Sequence, residues 1–335
     1  MKHQILALAV AALSFTACTN EDNISQDYLA DTPIKLNVSV DEPTTRAGYS
    51  DADKPTGFVL VVEHDYYGED KYSYKVLAEG KDNNWKTYDL TQYRNDGTKK
   101  EVTLLWANMN DKVAVKAISD VAYYAAAGAE ISNHPTNQTT PDALKKADFL
   151  AMPYTPVAPT QNGINVEFKH TMSKINLTIE LGSEYEFTED DVDKKITDVK
   201  IDGSKVKANY AIFSSTVNPQ FSFYNQSGDP TPISPYRTGT TPYSKTNGVI
   251  TKASATYEAI LIPQTIESGK FTVSFKVDGK LYEWVYNNEA GLTLASNTAY
   301  TLKLIAGDDK VQPVSFSVAP WNAGNGENGE EKETD

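Results

Sequence analysis

Apolar and polar residues alternate with period two in many short segments, and no other feature constrains this chain more. Ile34, Leu36, Val38 and Val40 alternate with Lys35, Asn37 and Ser39. Ile164, Val166 and Phe168 repeat the pattern, as do Ile175, Leu177, Ile179 and Leu181. Successive side chains of a strand point to opposite faces, so each segment reads as a strand with one buried face. Phe271, Val273, Phe275 and Val277 run into Asp278–Gly279, a two-residue hairpin signal of the kind that needs positive φ at both positions. Thr56–Tyr67 is an apolar, β-branched run instead, and "KYSYKVLAEG", "NWKTYDL", "EVTLLWANMN" and "DKVAVKAIS" follow it at short spacing, with turns at Gly80 and Asn83–Asn84. "TDVKIDGSKV", "TAYTLKLIA" and "QPVSFSVAPW" add further strands. Short strands separated by turns predict an all-β chain made of sandwiches.

One helix is expected, in "TTPDALKKADFLAM". Thr140 stands at the N-cap, Pro141 at the first helical position and Asp142 in the first turn, the residue types that satisfy or tolerate orphan N–H groups. The Pro-rich stretch Tyr154–Gly163 predicts a domain boundary, giving a first β-sandwich over 47–160 with the short helix and a second over 161–321. The tail at 322–335, "NAGNGENGEEKETD", is Gly-rich and acidic, the composition of a segment that cannot bury a core.

The N-terminal residues read as a leader. Lys2 and His3 precede an apolar stretch from Ile5 to Phe15, of signal-peptide length and too short to span a bilayer. Thr16 and Ala17 then precede Cys18, the sole cysteine, so an intrachain disulfide is ruled out. Small residues before a Cys are the pattern of a bacterial lipobox. The reading is a signal peptide over 1–17, lipidation at Cys18, export, and contact with the membrane only through lipid.

The 335 residues carry a formal net charge of −14, with 23% charged and 40% hydrophobic residues. That balance suits a globular chain and excludes the basic surface that nucleic acid demands. The four histidines, His3, His64, His134 and His170, share no metal-ligand spacing, and His170 reads as a core or interface residue. No phosphate-cradling Gly loop or nucleophile elbow is present. The acidic run Thr188–Lys195 lacks the glycine and closing glutamate of a calcium loop and reads as solvated. Tyr66–Tyr67 and Tyr123–Tyr124 read as strand packing before sugar stacking. Neither an enzyme nor a cofactor or metal site is expected.

Several stretches, in order along the chain, resemble the fimbrillin family of Bacteroidetes, the subunits of type V pili. They are the lipobox-like leader, "TTRAG" (44–48), "KKADFLAM" (145–152), "VEFKHTMSKINLTI" (166–179), "YEAILIPQTIESG" (257–269), "LASNTAYTLKLIAG" (294–307) and "VAPWNAG" (318–324). The resemblance implies two tandem transthyretin-like β-sandwich domains. It also implies that an Arg-specific protease cuts between Arg46 and Ala47, releasing the lipidated propeptide 18–46 with its strand.

The physics of such a step can be stated from the residues. Ile34, Leu36, Val38 and Val40 contribute roughly 6–12 kcal/mol of gross apolar burial, an upper bound before ordering costs. Their loss leaves an apolar groove with unpaired backbone, which another strand can fill. While tethered, the resident strand has a high effective concentration and blocks the exchange. Val314, Phe316 and Val318, on one expected face of the last strand, are the donor candidates. The expected role is a surface fimbrial subunit, first anchored as an outer-membrane lipoprotein precursor. Its partners would be other fimbrial subunits, the protease, and host or bacterial surface ligands. The alternatives are a tip or accessory adhesin and a monomeric glycan-binding lipoprotein.

Overall fold

The computed structural model describes residues 29–41, 49–64, 70–81, 84–119, 130–131, 133–182, 185, 195–212, 221–246, 249–307 and 310–321. The first strands are β1 (Leu36–Val40), β2 (Gly57–Glu63), β3 (Tyr74–Lys81), β4 (Asn84–Asp89), β5 (Val113–Ile118), β6 (Glu130–Ile131) and β7 (Leu150–Val157). Next come β8 (Ile164–His170), β9 (Ser173–Leu181), β10 (Ile196–Asp202), β11 (Lys207–Ile212), β12 (Phe221–Ser227) and β13 (Tyr236–Thr246). The last are β14 (Val249–Leu261), β15 (Gln264–Ile266), β16 (Thr272–Val277), β17 (Lys280–Val285), β18 (Leu292–Leu294), β19 (Thr298–Ala306) and β20 (Val311–Pro320). Among the described residues two short α-helices interrupt them, α1 (Leu90–Asp96) and α2 (Pro141–Ala147). The chain is all-β in class.

The first unit is a seven-stranded sheet in the order β1-β8-β7-β5-β2-β3-β4. It is not flat. Phe58 on β2 and Phe168 on β8 stand three strand positions apart, about 14 Å in a flat sheet, yet their ring centroids are 5.3 Å apart. The fold-over comes at β7 and β8, which share only the pairs Leu150↔His170 and Ala151↔Lys169. The β1–β8 ladder therefore forms a second layer over the inner face of the sheet. The segment "EVTLLWANMN", expected as a strand, instead joins the two ends of this sheet. Val102 N–H bonds Thr87 O on β4, while Ile34 N–H bonds Leu104 O and Trp106 N–H bonds Thr32 O. It changes partner midway, which prevents a continuous ladder.

The second unit packs a five-stranded sheet (β13-β14-β9-β19-β20) on a three-stranded one (β10-β16-β17). Ile175, Leu177, Leu302, Leu304, Phe271 and Phe275 fill the space between them. The hairpin β16–β17 turns on Asp278 and Gly279, at φ 48° and 82°, as the sequence predicts. The expected boundary at 160/161 falls inside the first unit, because β8 pairs with both β7 and β1. The change of sheet comes later, at Thr171–Met172. A Pro-rich loop signals a turn but not which sheet the next strand joins.

Helix α2 is capped as expected, with the Thr140 hydroxyl accepting from Ala143 N–H. Helix α1 was not expected. Asp89 accepts from Gln92 N–H at its start and Gly97, at φ 76°, closes it, so its signal was Asp before and Gly after a seven-residue stretch.

A third core joins the two units. Val59 and Val61 of β2 meet Phe149, Ala151, Ile260, Ile262 and Trp321 there. Phe58, Leu60 and Val62 of β2 face the first unit's core instead. On β14, Ala259 and Leu261 face the second unit's core while Ile260 faces the joint core, as does Ile262 beyond the strand. This accounts for the two unbroken apolar runs, "FVLVV" and "AILI": both faces of these strands are covered.

Candidate functional site

Strand β1 is held on both flanks, in two halves. Its residues pair in parallel with β8, from Leu36↔Ile164 to Val40↔Phe168. The residues before it pair with 104–106 on the other side. Ile34, Leu36, Val38 and Val40 are 3–9% exposed and lie in the first unit's core with Phe58, Leu60 and Val115. Leu29, buried in the same core, extends the seat by one residue that the alternation did not mark. Exposed groups tie down the start of this segment. Tyr72 Oη donates to Asp31 Oδ1 at 3.0 Å and Lys71 Nζ does so at 3.3 Å. The Tyr72 hydroxyl, then Lys71, holds the Asp31 carboxyl below its ordinary pKa. A cleft of about 230 Å³, lined by Ile34–Asn37 with Asn84, Trp85 and Thr87, separates this segment from β4.

Strand β20 is held differently. It pairs with β19 at the edge of its sheet, and none of its ten residues is buried. Val314 and Val318 are 49% and 44% exposed. Phe316 packs on Tyr286 and Tyr300, at 5.3 and 6.2 Å between ring centroids. The three donor candidates do not share one face here. The ladder runs through Leu302↔Phe316 and Lys303↔Ser315 to Leu304↔Pro313, so Val314 has no opposite residue. A bulge of this kind breaks the period-two phase.

The next residue is deeply set. Trp321 is 1% exposed. Its ring stacks on His170, with 4.5 Å between centroids and 9° between planes, and Lys174 Nζ lies 5.7 Å from the ring centroid. His170 Nδ1 bonds Asp148 Oδ1 at 2.9 Å, and Asp148 Oδ2 accepts from Tyr49 N–H at 3.1 Å. Lys174 pairs with Glu258 at 3.2 Å. Burial pulls Lys174 down and pushes Glu258 up, while their mutual attraction opposes both shifts. Sequence reading gave His170 as a core or interface residue but missed Asp148, Lys174, Glu258 and the anchoring of Trp321. The available signal was a charged residue inside an apolar strand, as in "SKINL" and "YEAIL".

Cys18, Arg46, Ala47, most of the 188–195 run and both tyrosine pairs lie outside the described residues. Among the described residues no group of His, Cys, Asp and Glu could hold a metal ion, and no helix is long and apolar enough to cross a membrane.

The sequence profile of the fimbrillin-like family matches residues 64–321. The chain belongs to the fimbrillin-like family. Membership in this family gives it a fimbrial role at the cell surface alongside other fimbrial subunits, and it is not an enzyme. Its fold is similar to that of a protein assigned to cell adhesion from Bacteroides uniformis, with 15% identity and a TM-score of 0.54, covering 87% of this chain and 98% of that one. A second such protein, from Bacteroides ovatus, has 12% identity and a TM-score of 0.54 with the same coverage of both chains. No curated protein sequence matches the chain.

Proposed function

We propose that this fimbrillin is a subunit that polymerises by strand exchange after an Arg-specific protease cuts between Arg46 and Ala47. The released segment carries β1, and the vacated groove takes the last strand of another copy. Lipidation at Cys18 holds the precursor at the outer membrane until the cut. The observation that carries this reading is the contrast between two strands of similar alternation. "IKLNVSV" has its apolar residues buried, whereas "VSFSV" leaves Val314 and Val318 at 49% and 44% exposure. A regular strand seated in the β1 groove would bury Val314, Phe316 and Val318 together, which their own bulged edge position does not.

Arg46→Ala tests it. The variant is expected to give a folded, surface-anchored precursor that forms no fibres in the presence of an Arg-only protease, while the wild type assembles. Normal fibres from Arg46→Ala would remove the cut as the switch. Cys18→Ala is expected to lose lipid labelling and membrane retention; labelling equal to the wild type would overturn the anchor.

One observation favours a second reading, an accessory or tip subunit that accepts a strand and donates none. Trp321 pins the end of β20 in the joint core. Deletion of 311–335 separates the two: a donor loses the ability to extend a fibre, whereas a tip subunit still caps one.

A further inference from the structure

We infer that Trp321 is a latch that keeps β20 on its own sheet, and that the Asp148–His170 pair ties this latch to the backbone at Tyr49. The inference rests on the donor reading of β20 for its biological use, but its geometry is independent of it. With every side chain of β20 at least partly exposed, little apolar burial opposes its departure beyond the partly buried Val311 and Phe316. The first buried side chain after it is that of Trp321, and the backbone N–H of this residue also donates to Asn297 O at 2.9 Å. The ring is the point at which the strand is fastened.

The seat is polar, which is unusual for an indole buried between two units. His170 forms its floor, and the orientation of that imidazole is set by Asp148. Lys174 stands over the ring and is held in turn by Glu258. Trp321 Nε1, His170 Nε2 and Glu258 Oε2 are buried without a hydrogen-bond partner among the described residues. Such groups are costly when dry and recover hydrogen bonds when water reaches them. Seating the ring gains stacking and apolar burial; unseating it hydrates these atoms. The opposed terms suit a contact that opens without unfolding its surroundings.

The same cluster reaches the other end of the proposed switch. Asp148 divides its two oxygens between His170 and the Tyr49 N–H, and Tyr49 is the third residue after Arg46. Four groups in contact, Tyr49, Asp148, His170 and Trp321, thus connect the chain that would be cut with the strand that would be donated. A change at Tyr49 alters what orients the His170 ring, and so the floor under Trp321.

Amide hydrogen exchange on the full uncut precursor tests both parts without requiring cleavage or assembly. Trp321→Ala is expected to speed exchange across 311–320 by about tenfold or more, with β9 and β14 unchanged. Should that variant not fold, Trp321→Leu, which keeps apolar volume but no flat ring, carries the same expectation. Asp148→Asn is expected to speed exchange in 311–320 by roughly threefold at an unaltered Trp321. Wild-type protection of β20 in the Trp321 variant, or loss of protection there only together with β9 and β14, overturns the latch. Unchanged β20 exchange in Asp148→Asn overturns the tie to Tyr49. If Arg46→Ala nevertheless makes normal fibres, strand exchange by cleavage fails while the latch result stands.

Discussion

At the scale of single residues, the buried histidines do different work. His134 lies wholly inside, its Nε2 bonding Ile260 O at 2.7 Å with Gln138 beside it. Burial pulls its pKa from 6.5 to about 4, against the opposing pull of the Ile260 carbonyl. The sign follows from which state binds the proton. Below pH 6.5 the unfolded chain takes a proton that the folded chain refuses until about pH 4, so stability is full above that window and falls through it. A shift of this size corresponds to about 3 kcal/mol. Urea unfolding of the wild type is therefore expected to weaken relative to His134→Gln as pH falls from 6.5 to 4. Parallel pH profiles for the two would refute the assignment.

At the scale of elements, β1 depends on a glycine that the alternation does not reveal. Gly163 precedes β8 at φ +85°, and a Cβ there would stand 2.2 Å from Lys35 O. That carbonyl accepts from Ile164 N–H at 2.8 Å, the first bond between the two segments. Gly163→Ala must strain the backbone or push Lys35 away. It is expected to cost about 2–3 kcal/mol and to raise hydrogen exchange in 34–40 while leaving β19–β20 protected. Equal exchange in 34–40 would show that the close approach does not hold the strand. Val38→Asp, an unpaired carboxylate in the first unit's core, is expected to cost about 3–5 kcal/mol on denaturant unfolding. A loss under about 1 kcal/mol would mean that the seat is not closed.

At the scale of the whole molecule, two sandwiches share a third core and are expected to unfold together. The faces of β2 belong to the first unit's core and the joint core, and "AILI" divides its side chains between the joint core and the second unit's core. Loss of either unit thus exposes apolar surface of the other. One calorimetric transition is expected for the wild type. Ile262→Asp, placing a carboxylate in the joint core, is expected to split it into two. A single transition, merely lowered, would mean that the units couple through other contacts. The same joint core holds Trp321, so a weakened joint core is also expected to free β20.

The chain by itself determined many of the strands, the buried face of the clearly alternating ones, and where one hairpin and one helix cap lie. Alternation, Asp-Gly and Thr-Pro-Asp are local patterns, and local geometry fixes their meaning. They marked Ile34, Leu36, Val38 and Val40 as one buried face, and the fold seats all four in one core. Only the tertiary structure decided partners. It placed β8 with β1 and β7, turned 101–110 into a closure between two edges, set a bulge at Val314, and brought Tyr49, Asp148, His170 and Trp321 into contact. Each depends on the register between segments far apart in sequence, which is chosen by the backbone pairing and packing of the assembled sheets and leaves no periodic trace in the residues themselves.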